Sequence, residues 1–79
     1  MNYNTFIACR EIADKAESRY GKYSSPHEVL GVIDEEYEEF KSEIHKNDFK
    51  RARQEALDIA AVCLRFYEET TAREDSKQI

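Results

Sequence analysis

The chain has 79 residues, which is enough for one domain and too few for two. Two glycines, one proline and a wealth of Ala, Glu, Lys and Arg favour helices. With a net charge of −5 and no evident basic face, the chain is not expected to bind nucleic acid. A core of this size is marginal alone, so we expect self-association as a homodimer or homotetramer.

The first predicted helix spans about residues 4–20, because apolar residues recur there at intervals of three and four. Its apolar positions are Phe6, Cys9, Ala13, Ala16 and Tyr20. Asn2 or Asn4 is expected to cap its start, and Gly21 to end it.

The second predicted helix begins at Pro26 and extends to about His45. Ser25 and Glu28 form a capping box around the start, where Pro26 needs no hydrogen-bond donor. The apolar stripe of this helix is predicted to consist of Leu30, Ile33, Tyr37, Phe40 and Ile44.

The third predicted helix runs from Phe49 to about Tyr67 or a turn beyond, with Asn47 or Asp48 as its cap. Its stripe is predicted as Ala52, Ala56, Ile59, Cys63 and Phe66, widened by Leu57, Ala60, Leu64 and Tyr67. A helix buried on two sides is typical of a central helix, or of one shared with a partner subunit. Residues 70–79 are predicted to form a polar C-terminal tail.

The fold class expected from these elements is all-α. Two short connections predict an antiparallel, up-down-up bundle of three main helices within residues 1–69, completed by oligomerisation. Cys9 and Cys63 both fall on apolar helical positions, so we expect two reduced core cysteines. No signal peptide and no run of about 20 apolar residues is evident, so a soluble, cytoplasmic protein without membrane contact is expected.

Two pairs of acidic residues carry the chemistry. Glu36 and Glu39 are three residues apart, as are Glu55 and Asp58, so each pair shares one face of its helix. Four facing carboxylates repel one another unless a cation lies between them, and oxygen ligands suit Mg²⁺, with Mn²⁺ as a possible substitute. A solvated charged face is the alternative, but Glu55 and Asp58 occupy the most apolar part of the chain, where unpaired acids are rare.

The string Glu35-Glu36-x-x-Glu39, followed after fifteen residues by Glu55-x-x-Asp58, resembles the EExxE…ExxD signature of the MazG-like all-α nucleoside triphosphate pyrophosphohydrolases. The resemblance covers roughly residues 24–66. It implies that Glu36, Glu39, Glu55 and Asp58 bind Mg²⁺, which holds the triphosphate while water attacks the α-phosphorus to release pyrophosphate. Glu35 matches the first acid of the signature, which makes it the candidate catalytic residue, either orienting a ligand or activating water.

Several alternatives stay open at this point. Glu35 and Glu38 are also three apart and define a competing register. Arg51, Arg65 and Lys50 are candidates for contacts with substrate phosphates, with surface countercharges as the competing interpretation. Tyr20 and Tyr23 could contact a nucleobase. The functional alternatives are a non-catalytic acidic interaction module and an enzyme like phosphoribosyl-ATP pyrophosphohydrolase.

Overall fold

The computed structural model describes residues 2–77, and side chains as far as residue 73. Its elements are α1 (Tyr3–Tyr20), α2 (Pro26–His45) and α3 (Phe49–Lys77). No strand occurs within this range. The all-helical fold and its three helices therefore agree with the sequence prediction.

The helix starts and stops follow the local sequence signals. The Asn2 side chain accepts a hydrogen bond from the Thr5 N–H at 2.8 Å, and that of Ser25 accepts from Glu28 N–H at 3.3 Å. Gly21 ends α1 with a φ of 76°, a backbone conformation that glycine adopts at little cost. Asp48 accepts a hydrogen bond from the Arg51 N–H at 3.2 Å and caps α3.

The third helix is longer than the sequence predicts. It continues through the expected polar tail to Lys77, whereas residues 78 and 79 of that tail lie outside the described range. Tertiary contacts account for part of the extension, because the Glu69 side chain is buried and an Arg73 Nη2–H donates to the Tyr23 carbonyl at 3.1 Å. Contacts with the α1–α2 linker thus stabilise a segment whose polarity suggests fraying.

Helix α3 is the central element, as expected. It packs on α1 through a cluster of Cys9, Ala13 and Ala61, and on α2 through a cluster that includes Val29 and Val62. Within residues 2–77, α1 and α2 do not pack against each other. A closed three-helix bundle would require that contact, so the unit is open between its first two helices.

Two predicted faces are confirmed only in part: Ile33 of α2 packs on the core and Ala52 of α3 is buried, but other predicted positions are exposed. On α2 the buried residue is Val29, while Leu30 is 60 % and Tyr37 50 % exposed. On α3 the buried positions include Ala61 and Val62, and Cys63 is exposed. Both helices carry apolar residues on two adjoining faces, and a periodic pattern cannot distinguish the face that packs within the chain. Only Cys9 is a core cysteine, although both thiols are free.

A buried arginine fixes the linker between α1 and α2. Arg65 is 6 % exposed, and its guanidinium lies 4.2 Å from the centre of the Tyr23 ring. Its Nη2–H donates to the Gly21 carbonyl at 2.7 Å and its Nη1–H to the Tyr23 hydroxyl at 3.1 Å. The Tyr23 N–H donates to Glu69 Oε1 at 3.4 Å. These contacts, which we call the linker clamp, hold the end of α1 and the start of α2 on α3.

We expect Arg65→Met to lower the free energy of unfolding by about 1.5–3 kcal/mol, because it removes charge-assisted hydrogen bonds from a buried site while keeping an apolar side chain of similar length. Urea unfolding followed by circular dichroism measures the change. Arg51→Met is the matched control: the Arg51 side chain is 74 % exposed, so its loss should cost no more than about 0.5 kcal/mol. Equal losses in the two variants would contradict the clamp.

Candidate metal centre

Acidic side chains from α2 and α3 meet toward the turn that joins the two helices. Because the helices are antiparallel, Val29 at the start of α2 lies near Val62, and Glu36 lies near Glu55, closer to the turn. Glu39 follows one turn after Glu36 on the same face. One carboxylate oxygen from each of these three glutamates lies within 4.8 Å of the others. We call Glu36, Glu39 and Glu55 the acidic cluster.

The acidic cluster is electrostatically unfavourable without a cation. Burial is the main cause that raises the pKa of Glu36 and of Glu55 above the usual range, because a charged carboxylate loses solvation there. The pKa of Glu39 is raised first by its carboxyl contact with Glu55 and then by the charge of that residue. Each acid therefore ionises less readily than a surface glutamate.

Two oxygens of the cluster lack an ordinary partner. Glu36 Oε2 and Glu55 Oε2 are buried and accept no hydrogen bond from an N–H group or a hydroxyl among the described residues, and the two carboxyl groups contact each other instead. Buried carboxylate oxygens without donors are rare in folded proteins, because the loss of solvation is not compensated. An all-oxygen donor set with orphaned oxygens fits a hard divalent cation such as Mg²⁺ or Mn²⁺.

The remaining predicted acids lie around the cluster. Asp58 is half-buried, but its Oδ1 accepts a hydrogen bond from Gln54 Nε2 at 3.0 Å, and it does not join the cluster. Glu35 is exposed next to Glu36 in the chain, and both residues line the cleft described below. Glu38, which belongs to the competing register, has its Oε2 3.4 Å from Lys41 Nζ and is not in the cluster. Of the two α2 registers, the structure brings Glu36 and Glu39 together with Glu55.

The predicted basic residues are widely separated. Arg65 lines the cleft, but its terminal nitrogens are engaged by the linker clamp. Arg51 is exposed, with Nε 3.6 Å from Asp48 Oδ2 at the start of α3. Lys50 is also exposed at that end. Neither Lys50 nor Arg51 lines the cleft described next.

A cleft of about 450 Å³ lies between α1 and α2, with α3 as its floor. Its apolar and aromatic lining comprises Ile12, Ala16, Tyr20, Tyr23, Val32, Ala61 and Val62. Its carboxylates are Glu28, Glu35, Glu36 and Asp58. The volume falls in the range of about 300–1,000 Å³ that small-molecule sites occupy. The lining is thus mainly apolar and aromatic with four carboxylates, of which Glu36 also belongs to the acidic cluster.

Sequence reasoning missed two groups of residues at this site. Glu28 lines the cleft, where hydrogen bonds from the Ser24 hydroxyl and N–H lower its pKa. Lys15 and Arg19 lie on α1 beside the same region, next to Ala16 and Tyr20 in sequence. The available signal was their spacing of four, which places them on one side of α1. Glu28 gave only a capping signal.

Comparison with protein-family models, with curated proteins and with solved structures finds no match for this chain. Among residues 2–77, no helix combines the length and the apolar character that crossing a bilayer demands.

We expect Glu55→Gln to stabilise the cation-free protein at pH 7. Because folding raises the pKa of Glu55 above 4.5, the folded protein binds more protons than the unfolded chain in the pH range between these two pKa values. Stability therefore falls as pH rises from about 4.5 through the raised pKa, and Gln removes this loss. Urea unfolding with a chelator should show the advantage at pH 7 and little of it at pH 4.

The control for this measurement is Glu11→Gln, which changes an exposed acid on α1. Adding Mg²⁺ should make the wild-type protein more stable to urea than Glu55→Gln, since saturation at a hundred times Kd stabilises a protein that binds the ion by about 2.7 kcal/mol. A wild-type protein whose unfolding is indifferent to Mg²⁺ and Mn²⁺ would contradict the cation site.

Proposed function

We propose that this protein is a Mg²⁺-dependent nucleotide pyrophosphohydrolase of the MazG-like type, which cleaves a nucleoside triphosphate to the monophosphate and pyrophosphate. The observation that carries the proposal is the acidic cluster, with its two orphaned buried oxygens, beside a cleft of nucleotide size. Such an activity would act in the cytoplasm on the nucleotide pool.

The acidic cluster supplies the ligands in this proposal. Glu36, Glu39 and Glu55 would hold Mg²⁺, and Asp58, half-buried at the edge of the cleft, would complete the set if it left its hydrogen bond with Gln54. When bound, the ion neutralises phosphate charge and lowers the pKa of a water molecule in contact with it. An acidic protein can thereby accept an anionic substrate without a broad basic surface.

Glu35 is the proposed catalytic residue. It is exposed on the cleft wall beside Glu36, where its carboxylate can accept the proton of an attacking water. The water oxygen bonds to the α-phosphorus, and the bond from that phosphorus to the bridging oxygen breaks. The products are the nucleoside monophosphate and pyrophosphate.

The apolar part of the cleft lining suits the nucleoside. Tyr20 offers an exposed ring there, and Val32 adds aliphatic surface. Tyr23 also lines the cleft, but it is 7 % exposed and its ring lies against the Arg65 guanidinium. The linker clamp positions Tyr23, so Arg65 acts on the substrate site through the tyrosine in this proposal rather than by contact with phosphate.

We expect Glu36→Gln and Glu55→Gln to lower kcat/KM for Mg²⁺-dependent pyrophosphate release by about a hundredfold or more. Loss of a residue that only hydrogen-bonds to a metal ligand already costs about 10–100-fold in activity, and a ligand should cost more. Glu38→Gln, which removes the competing register, should retain nearly wild-type activity. The assay measures pyrophosphate from a panel of nucleoside triphosphates and phosphoribosyl-ATP.

The same assay separates the alternatives. Cleavage of phosphoribosyl-ATP alone would assign the protein to that enzyme class. Absence of pyrophosphate release from every substrate, together with absence of Mg²⁺ binding, would leave the non-catalytic interaction module. Loss of activity in Glu38→Gln but not in Glu36→Gln would overturn the assignment of the acids.

Self-association is also part of the proposal. The predicted α2 stripe of Leu30, Ile33, Tyr37, Phe40 and Ile44 is regular in sequence, yet Leu30, Tyr37 and Ile44 are exposed in the single chain. A regular apolar stripe left in water favours association with an equivalent surface. We therefore infer a homodimer or homotetramer that covers this face of α2.

We expect the wild-type protein to sediment as a dimer or tetramer, and the double variant Leu30→Lys, Tyr37→Lys to sediment as a monomer, because two charges cannot be buried without partners. Analytical ultracentrifugation over a range of concentrations measures the masses. Tyr67→Lys is the control, since Tyr67 is exposed on α3, away from the stripe. A monomeric wild-type protein would contradict the inferred interface.

A further inference from the structure

A second groove, of about 640 Å³, adjoins the cleft on the other side of Asp58. Lys15 and Arg19 line it from α1, and Ala16, Tyr20 and Asp58 line both the groove and the cleft. Lys15 and Arg19 are four residues apart, so their side chains extend from the same side of the helix. The two cavities therefore share a wall at Asp58, with Glu36 of the acidic cluster lining the cleft and the two cations lining the groove.

A triphosphate carries several negative charges, so its binding site needs cations in addition to one divalent metal ion. The cleft already carries four carboxylates and the acidic cluster lies beside it, so one divalent cation leaves the site short of positive charge for a polyphosphate. The cation that lines the cleft is Arg65, whose Nη1 and Nη2 donate to the linker and whose Nε is buried from solvent. Lys15 and Arg19 are the accessible cations among the described residues that line the two cavities.

Neither cation of the pair is engaged by an acid. Among the described side chains, no carboxylate lies within 4.0 Å of Lys15 Nζ or of the Arg19 guanidinium, which only approaches the Tyr20 ring at 5.9 Å. By contrast, Arg51 already lies near Asp48. The α1 pair thus has free donors that line a groove together with Asp58, which also lines the cleft beside Glu36.

We propose that Lys15 and Arg19 bind the terminal phosphates of the substrate, which become the pyrophosphate product. This inference rests on the proposed function and deepens it. The substrate lies with its α-phosphate at the acidic cluster and its β- and γ-phosphates along the groove past Asp58. Lys15 and Arg19 position the departing group by charge-assisted hydrogen bonds. They replace Lys50 and Arg51, which lie outside both cavities, as the phosphate contacts.

The test compares two double variants of the full chain that remove the same charge. Lys15→Gln with Arg19→Gln removes the groove pair, and Lys50→Gln with Arg51→Gln removes the pair at the start of α3. Gln keeps a high helix propensity, and circular dichroism checks that both variants fold. Isothermal titration measures Mg²⁺ alone, then inorganic triphosphate in the presence of Mg²⁺, and kinetics give KM for the best nucleoside triphosphate.

We expect the groove variant to bind triphosphate about 10- to 100-fold more weakly, the loss typical of a hydrogen bond between charged groups. Its KM should rise and its response to added salt should weaken, while its affinity for Mg²⁺ alone is kept. The Lys15→Arg, Arg19→Lys variant should recover most of the binding. The variant at the start of α3 should differ from wild type by less than about threefold, as surface charges usually do.

Four outcomes would overturn the inference. Triphosphate binding could fall in the variant at the start of α3 instead of the groove variant, or equally in both. Wild-type protein that binds Mg²⁺ but no triphosphate would exclude the groove site and leave the metal centre intact. Wild-type protein that binds neither would exclude the inference and the proposed function together.

Discussion

Repulsion among three carboxylates is the constraint around which this small protein is organised. Glu36, Glu39 and Glu55 approach one another between α2 and α3, and two of their oxygens have no donor. Two opposed helices would normally separate at such a point. They are held together by the apolar cluster that includes Val29 and Val62 on one side and by the short turn between α2 and α3 on the other. Apolar packing and the short connection therefore offset the repulsion among the carboxylates.

The second organising feature is the gap between α1 and α2. A closed bundle would bury more apolar surface in a chain this short, and burial is the main favourable term in folding. The open arrangement leaves a cleft that is lined by both apolar side chains and carboxylates. Arg65 keeps the gap defined, because its hydrogen bonds tie the linker to α3 without bringing α1 onto α2. The fold thus sacrifices core area for a concave surface.

Local signals made the helices predictable, because they act within a few residues. Ser25, Pro26 and Gly21 determine ends that the structure reproduces, and the predicted bounds of α2 agree with those observed. The face of each helix was less predictable. The stripe through Leu30 and Tyr37 is the more regular one in sequence, yet Val29 is the residue that is buried, because tertiary contacts decide which face packs within the chain.

The candidate site divides in the same way. The spacing of Glu36, Glu39 and Glu55 is enough to place them on facing helices, and their proximity was predicted. Asp58 has the correct spacing but accepts a hydrogen bond from Gln54, a contact that no motif indicates. Lys15 and Arg19 lie on α1, and the groove that they line with Asp58 depends on the packing of α1 on α3, which no local motif indicates. Arg65 was predicted as a phosphate contact because it lies seven residues after Asp58 on the same helical face. Its contacts with Gly21 and Tyr23 span more than 40 residues of sequence, and no local motif indicates them.

The dependence of α1 on α3 alone has a consequence for how the protein comes apart. Its attachment consists of small side chains such as Ala13 and Ala61, one exposed ion pair between Arg10 and Glu68, and the clamp at its end. The helical hairpin of α2 and α3 contains every member of the acidic cluster, so detachment of α1 would dismantle the cleft while sparing the carboxylates. The acidic cluster and the cleft therefore depend on different helix contacts within one short chain.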